Sequence, residues 1–428
     1  MTHLVKNRKG TNYVQIDESL CNGCVLCMKV CPTKAIRTKD QRVADFVGVC
    51  IDCGECIRVC PRGAINAVTT ANDYIDKSNA VLSFSPVLCS QFFGGDSPNK
   101  VYSGLKKMGF LDVVEPYEIM EMFNVAMGLY INESRKKKGS PRPLISAVCP
   151  VVVRLIAYRF PSLFKNIPPI LPPRELVARE IKKHAMEVYG RKVKVFHVTP
   201  CSAKMISIKQ PIMVHKSYLD GAIGINNIFV ELMEQMRRLG KDKDFGKPVR
   251  VAIGWAKSGG EIAHIGDGNF LAVSGMQETI GYLQKIEMGL YEEVDYVEFR
   301  TCPEGCIGGP LTVGDKYQAK NNIRWLMQKF GVERLANDND VKKLYEKDWF
   351  FVKREGQIFE RERPRHSLSE GIERQKQVEK IHQMLPQKEC GVCGSPDCQT
   401  FAEDVVDGRA SLESCIFLNP HKGNGEKG

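Results

Sequence analysis

The sequence predicts a multidomain chain of mixed class, α+β and α/β, with a small cysteine-rich module towards each end and a larger α/β region between them. Three observations predict it. Two matching cysteine runs, CNGCVLCMKVCP at 21–32 and CIDCGECIRVCP at 50–61, stand near the start. Short apolar runs rich in β-branched residues alternate with helix-patterned stretches through 75–350. A third cysteine group, CGVCGSPDC at 390–398 with Cys415 beyond it, stands near the other end. The boundaries that follow are a first module at 1–72, a central domain at 73–352, a charged linker at 353–380 and a last domain at 381–428.

Composition limits the function. The 428 residues are 43% hydrophobic, enough for a large core and small satellites. No run approaches the roughly 18 apolar residues of a membrane helix, so no membrane partner is expected. The opening MTHLVKNRKGTNYV carries neither an apolar signal region nor a twin arginine, and a cytoplasmic location is expected. Seventeen cysteines in a long chain of this kind indicate metal rather than disulfides. The formal charge is +11, but the basic residues are dispersed, with RKKKG at 135–139 and RERPRH at 361–366 the densest groups. No aromatic-interleaved basic stripe is present, so no nucleic-acid partner is expected. Four thiolate-bound 4Fe–4S clusters of about −2 each would take up about 8 of these charges.

Both N-terminal runs read C-x2-C-x2-C-x3-C-P, the run of bacterial two-cluster ferredoxins. Three cysteines on one tight loop cap three irons of a cube, and the fourth, followed by proline, turns away to the other cube. Cys21, Cys24, Cys27 and Cys60 are therefore expected to hold one cluster, and Cys50, Cys53, Cys56 and Cys31 the second. Gly23 and Gly54 permit close backbone approach to the sulfurs.

In the central region the strand-like runs are AVLSFSP at 80–86, PLISAV at 143–148, KVKVFHVTP at 192–200 and YVEFRTC at 296–302. RELVAREIKKHAMEVYG and NNIFVELMEQMRRLG read as helices. Cys149, Cys201 and Cys302 each follow a strand-like run, and Cys306 comes four residues on. Carboxyl ends of strands are where α/β folds place their sites. At 390–415 the spacing is C-x2-C-x4-C-x16-C. Ser395 and Pro396 read as N-cap and first turn of a helix that ends at Gly408. Spacing alone admits zinc or a 4Fe–4S cluster at Cys390, Cys393, Cys398 and Cys415. The segment resembles the small cluster-binding domain found beside redox and corrinoid proteins. Sixteen of the seventeen cysteines thus fall into four sets of four, and Cys89 is left over.

Three motifs resemble the signatures of the iron–iron hydrogenases. SAVCP at 146–150 stands against T-S-C-C-P, TPCSAK at 199–204 against M-P-C-x-x-K, and RTCPEGCIGGP at 300–310 against M-A-C-x-G-G-C-x-x-G-G-G. With the N-terminal module the resemblance covers about residues 1–330. It implies an H-cluster domain of two α/β lobes, in which Cys149, Cys201, Cys302 and Cys306 hold a cubane. Cys306 would also bridge to a two-iron subsite with carbonyl, cyanide and a bridging dithiolate amine. Lys204 matches the lysine that pairs with a cyanide. Ser85 and Pro86 match a strand-end segment at the other cyanide, with Val87 where that segment has its serine. Gly305, Gly308 and Gly309 are expected to clear room for the backbone beside the cofactor.

The departures from the pattern concern protons. Val148 stands where the resemblance expects a proton-relay cysteine, and Ser207 where it expects a glutamate. Thr199 and Arg300 replace methionines, and a glycine position holds Glu304. Glu304, or Cys89, would stand in for part of the missing relay; the alternative is that Glu304 points away into solvent. The resemblance thus implies slow, reversible, heterolytic cleavage of dihydrogen, with a hydrogen-sensing role of the branch that lacks a PAS domain. Its substrates would be dihydrogen and protons. Electrons would pass through four 4Fe–4S clusters to a ferredoxin or a signalling protein, and maturation proteins would build the subsite. The alternative is a cluster-only electron carrier or iron–sulfur assembly scaffold without the two-iron subsite.

Overall fold

The computed structural model describes residues 12–39, 43–93, 96–240, 249–352 and 367–418. The chain divides into two compact units. One joins Met1–Ala67 to Glu360–Gly428, and the other is Val68–Phe359. The first unit is therefore made from both ends of the sequence.

Its N-terminal half runs β1 (Val14–Ile16), α1 (Leu26–Val30), β2 (Ile36–Lys39), β3 (Val43–Phe46), α2 (Glu55–Val59) and β4 (Ile65–Ala67). β1 pairs antiparallel with β4, and β2 with β3. Each short helix starts after a left-handed residue, Val25 at φ 58 and Gly54 at φ 77, so each cysteine loop turns sharply into a helix. The apolar core here is small: Val14, Met28, Ile36, Ala44 and Ile65 with cysteine side chains. So small a core needs a further staple to be stable, and bound metal is the usual one.

The second unit is α/β. It runs β5 (Ala80–Phe84), α3 (Pro98–Lys106), β6 (Asp112–Val114), α4 (Tyr117–Lys136), β7 (Leu144–Ile145), α5 (Pro150–Arg159), α6 (Pro173–Tyr189), β8 (Lys194–Thr199) and α7 (Ala203–Lys209). It continues through β9 (Gly221–Gly224), α8 (Ile225–Arg238), β10 (Val249–Arg250), β11 (Phe270–Ser274), α9 (Met276–Glu287), β12 (Tyr296–Arg300), α10 (Lys316–Phe330), β13 (Val332–Glu333) and α11 (Asp338–Glu346). One parallel sheet has the order β6-β5-β8-β9 and another the order β11-β12-β7. Every residue of β5 and β12 is buried, as expected of parallel strands covered on both faces. Cys149, Cys201 and Cys302 follow β7, β8 and β12 within four residues, at their carboxyl ends.

The C-terminal half of the first unit holds α12 (Leu368–Met384) and α13 (Cys398–Val406), packed around Val378, Leu385 and Phe401. Within the stretch expected as a charged linker, 353–366 lie outside the described residues. The remainder is Ser367 and most of α12, which opens on a reciprocal capping box between Ser367 and Glu370. The N-cap of α13 also differs from the expectation. Asp397, not Ser395, caps it and accepts from the Thr400 N–H at 2.7 Å. Ser395 instead donates to Asp404 at 2.7 Å, a partner one helix turn beyond local reading.

Candidate metal centres

The central unit contains a cavity of about 890 Å³ lined by Cys149, Cys201, Cys302 and Cys306 together with Ser85, Pro86, Val148 and Lys204. Both sheets contribute, through β5 and β8 of one and β12 of the other. Residues scattered across the sequence are thus gathered at strand ends. Burial pushes the Cys201 thiol up to about 11, with Lys204 opposing the shift and Cys149 and Cys306 adding to it. Burial also draws the Lys204 ammonium down to about 8, helped by the charge of Arg174 and opposed by the cysteines. Thiolates bound to metal would stabilise that ammonium.

The cavity wall carries more donors than the protein uses. Arg174 Nε, Trp255 Nε1 and Arg300 Nε are buried without a hydrogen-bond partner among the described residues. All three side chains line the cavity. Arg174 Nε stands 4.0 Å from Glu175, and Arg300 Nε 3.6 Å from Glu298, too far for hydrogen bonds. An unmade buried N–H costs about 1–3 kcal/mol. Four thiols, one ammonium and three spare donors fit an anionic, acceptor-rich metal group.

Arg300 also anchors a buried ionic network. Its Nη2 donates to Glu261 at 2.7 Å, and Glu261 accepts from Ser146 at 2.9 Å and from Tyr296 at 2.5 Å. Glu298 accepts from the N–H groups of Gly259, Glu261 and Ile262. Burial pushes Glu298 up to about 7, with Arg300 holding it down. Arg174 Nη1 donates to the Val148 carbonyl at 3.0 Å. His197 and Ser83, hydrogen-bonded at 2.9 Å, also reach the cavity wall. The sequence reading missed Arg174, Trp255, His197 and Ser83. The one available signal was His197, a polar residue inside the strand-like run KVKVFHVTP.

Two expected relay residues lie elsewhere. Glu304 sits at φ 62 and its carboxylate pairs with Lys320 at 2.5 Å, off the cavity lining. A left-handed backbone and a cationic neighbour turn it away. Cys89 is buried in the apolar core with Sγ 3.4 Å from the Tyr117 hydroxyl, and burial pushes its thiol up to about 12. Ser207 donates to the Lys204 carbonyl at 2.8 Å and lines a neighbouring space of about 410 Å³ that shares Pro150 and Arg174 with the main cavity. The glycines make room for backbone, as expected. A Cβ on Gly305 would lie 2.3 Å from the Ser258 nitrogen, on Gly308 2.1 Å from the Pro303 oxygen, and on Gly309 2.4 Å from the Pro200 oxygen. They let backbone pack on backbone, which shapes the wall.

In the first unit, Cys21, Cys24, Cys27 and Cys60 line one space with Thr38, Ala44 and Ile65. Cys53 is raised by burial and then by the nearby charges of Cys56, Cys31 and Cys50, the other predicted set. The two runs fold alike, for the Ala35 N–H approaches Cys31 Sγ at 3.2 Å and the Ala64 N–H approaches Cys60 Sγ at 3.3 Å. Cys390, Cys393, Cys398 and Cys415 line a further space with Leu385, Phe401 and Ile416. Among the described residues no three Cys, His, Asp or Glu close to the spacing of a single ion. The sulfurs surround open spaces, as a cluster with its own volume requires. No described helix is long and apolar enough to cross a membrane.

Comparison with known proteins adds families to this geometry. Residues 78–260 match the iron only hydrogenase large subunit, C-terminal domain, residues 13–61 the 4Fe-4S dicluster domain, and residues 385–417 a domain described as a Putative Fe-S cluster. A stretch of 39 residues is 46% identical to the corrinoid/iron-sulfur protein large subunit of Moorella thermoacetica, covering 9% of each chain. A stretch of 38 residues is 45% identical to one component of the ion-translocating oxidoreductase complex of Thiobacillus denitrificans, covering 9% of this chain and 20% of that one. The chain thus spans only a small part of the length of either of these relatives. Among solved structures, a variant of the [FeFe]-hydrogenase HydA1 from Chlamydomonas reinhardtii is 14% identical with a TM-score of 0.47, covering 63% of this chain and 89% of that chain. The HydA(deltaEFG) structure is 14% identical with a TM-score of 0.48, covering 67% and 93%. A hydrogenase large-subunit domain at its centre and an iron–sulfur domain on either side support an iron–iron hydrogenase-family protein.

Proposed function

We propose that this protein cleaves dihydrogen reversibly and heterolytically at an H-cluster in the central cavity, slowly, and in the service of hydrogen sensing. The observation that carries the reading is the cavity itself. It gathers Cys149, Cys201, Cys302, Cys306 and Lys204 with three buried, unpartnered N–H donors. In this reading the four cysteines hold a 4Fe–4S cubane. Cys306 would also hold a two-iron subsite with carbonyl, cyanide and dithiolate amine ligands. When bound, that group supplies the chemistry of hydrogen cleavage.

The chain's own residues bind, orient and insulate. Lys204 would donate to a cyanide through a charge-assisted bond. Ser85 and Pro86 wall the opposite side. Arg174, Trp255 and Arg300 offer the remaining acceptors their spare N–H groups. Val148 presents only methyl groups, so its side chain holds no proton. Ser207 has its hydroxyl engaged with a backbone carbonyl. Positioned acid–base groups contribute about 10²–10⁴-fold to turnover, and their absence favours a slow device. Three further cysteine sets bring the total to four 4Fe–4S clusters. Electrons pass to a one-electron carrier such as ferredoxin, or to a signalling protein, and maturation proteins deliver the subsite.

The test is an infrared spectrum of anaerobically matured protein in the carbonyl and cyanide stretching window. Bands that shift under hydrogen support the reading. A blank window, under a maturation protocol that succeeds on a control hydrogenase, leaves the cluster-only carrier, the reading that Val148 in the cavity wall favours.

A further inference from the structure

The C-terminal cysteine loop is seated on the N-terminal module inside the first unit. Lys29, between Cys27 and Cys31, donates to the Pro396 carbonyl at 2.7 Å and also to the Glu389 carbonyl. These carbonyls flank Cys390 and Cys398. Lys34 pairs with Asp397 at 2.5 Å, and Arg37 grips Asp404 at 2.5 and 3.2 Å. The Arg37–Asp404 pair is largely buried, with side-chain exposures of 11% and 3%. Asp404 also accepts from Ser395 in the cysteine loop and from Arg409.

Thr38 links the two sites directly. It lines the space of Cys21, Cys24, Cys27 and Cys60. Its N–H donates to the Gly394 carbonyl at 3.0 Å, and Gly394 follows Cys393. A Cβ on Gly394, whose φ is +89, would lie 2.2 Å from the Thr38 oxygen. Only glycine allows the loop to come this close. A Cβ on Gly391, next to Cys390, would meet Met28 at 3.0 Å. One layer of backbone therefore separates the two cysteine sets.

We propose that the clamp of Lys29, Lys34 and Arg37 makes the C-terminal set an electrical extension of the Cys21, Cys24, Cys27 and Cys60 set. The first unit is then a three-cluster wire rather than a ferredoxin with a tethered bead. The step is the passage of one electron, oxidising one cluster and reducing the other, with no bond or proton moved. Its outside partner is a one-electron iron–sulfur carrier protein. Tunnelling falls steeply with distance, so the contact decides whether the step occurs. The proposal rests on the cluster reading of these cysteines and adds the coupling between them.

The test uses the full chain reduced with dithionite, iron analysis and electron paramagnetic resonance. Cys390→Ser is expected to lose about one cluster's iron and the interaction broadening that cluster contributes. Lys34→Glu/Arg37→Glu is expected to keep its iron and lose the same broadening. Lys34→Gln/Arg37→Gln provides a milder loosening if the charge reversal sheds iron. A wild-type spectrum equal to the Cys390→Ser spectrum plus an isolated cluster signal would overturn the coupling. Unchanged iron in Cys390→Ser would instead overturn the cluster reading of that set, and the wire with it.

Discussion

Arg174 donates through Nη1 to the carbonyl oxygen of Val148 at 3.0 Å, so a buried guanidinium fixes the backbone of the residue that precedes Cys149. The bond takes the carbonyl and leaves the side chain free to vary. Val148→Cys should therefore keep the local backbone and place a thiol on the cavity wall. Hydrogen turnover in the matured protein should rise, within the range of about 10²–10⁴-fold that a positioned proton donor supplies. A rate within twofold of the parent, with intact infrared bands, would show that proton delivery at this wall is not what limits it.

Lys204 faces the cavity with its charge opposed by burial and by Arg174. Lys204→Met removes the ammonium and keeps the length of the side chain. Cubane iron should be retained, while carbonyl and cyanide bands should weaken strongly or vanish. Full-intensity bands at unshifted frequencies would remove Lys204 from the cyanide site.

Arg300 is the cation between Glu261 and Glu298, and all three are fully or almost fully buried. Arg300→Met restores the residue type of the family signature but strands two carboxylates. Breaking a buried pair from one side costs about 3–5 kcal/mol. Thermal unfolding of the metal-free protein should fall accordingly, and adding Glu261→Gln and Glu298→Gln should recover part of the loss. An unchanged Tm would mean that water reaches this network.

His197 is held well below its ordinary value of 6.5, first by burial and then by Lys204 and Arg174. Its folded-state pKa is depressed, so its contribution is complete above 6.5 and is lost as pH falls towards the folded value. Wild-type stability should fall with acidification below about 6.5, in excess of the carboxylate contribution. His197→Gln, which can still bond Ser83, should show a shallower slope between pH 6.5 and 5 in denaturant titrations. Identical slopes would assign the acid sensitivity to other groups.

The cysteine sets were legible because ligand spacing is local. A C-x2-C-x2-C loop must turn tightly whatever surrounds it, and Cys21, Cys24 and Cys27 line one space as that spacing requires. The strand-end cysteines could be placed because β-branched runs preceded them. Arg174 and Trp255 carried no such signal. They sit in the first turn of α6 and in a short 3-10 helix, Val251–Ala256, and only the tertiary packing brings them to the same wall. Arg300 could be read as a departure from a motif, but its partner Glu261 lies in a separate segment with no pattern to mark it. The Arg37–Asp404 contact joins residues 367 positions apart. Glu304 misled because its place between two cysteines suggested chemistry, while its backbone conformation and Lys320 decided its direction.

Among the described residues, the two-residue strand β7, which leads into Cys149, pairs only with β12, made much later in synthesis. In chain order Cys149 precedes Tyr296 and β12, and its set is complete only at Cys306. The N-terminal cysteine runs are complete by Cys60. On the proposed cluster reading, the N-terminal sites would thus be complete early in synthesis, and the central site would close only when Cys306 has been made.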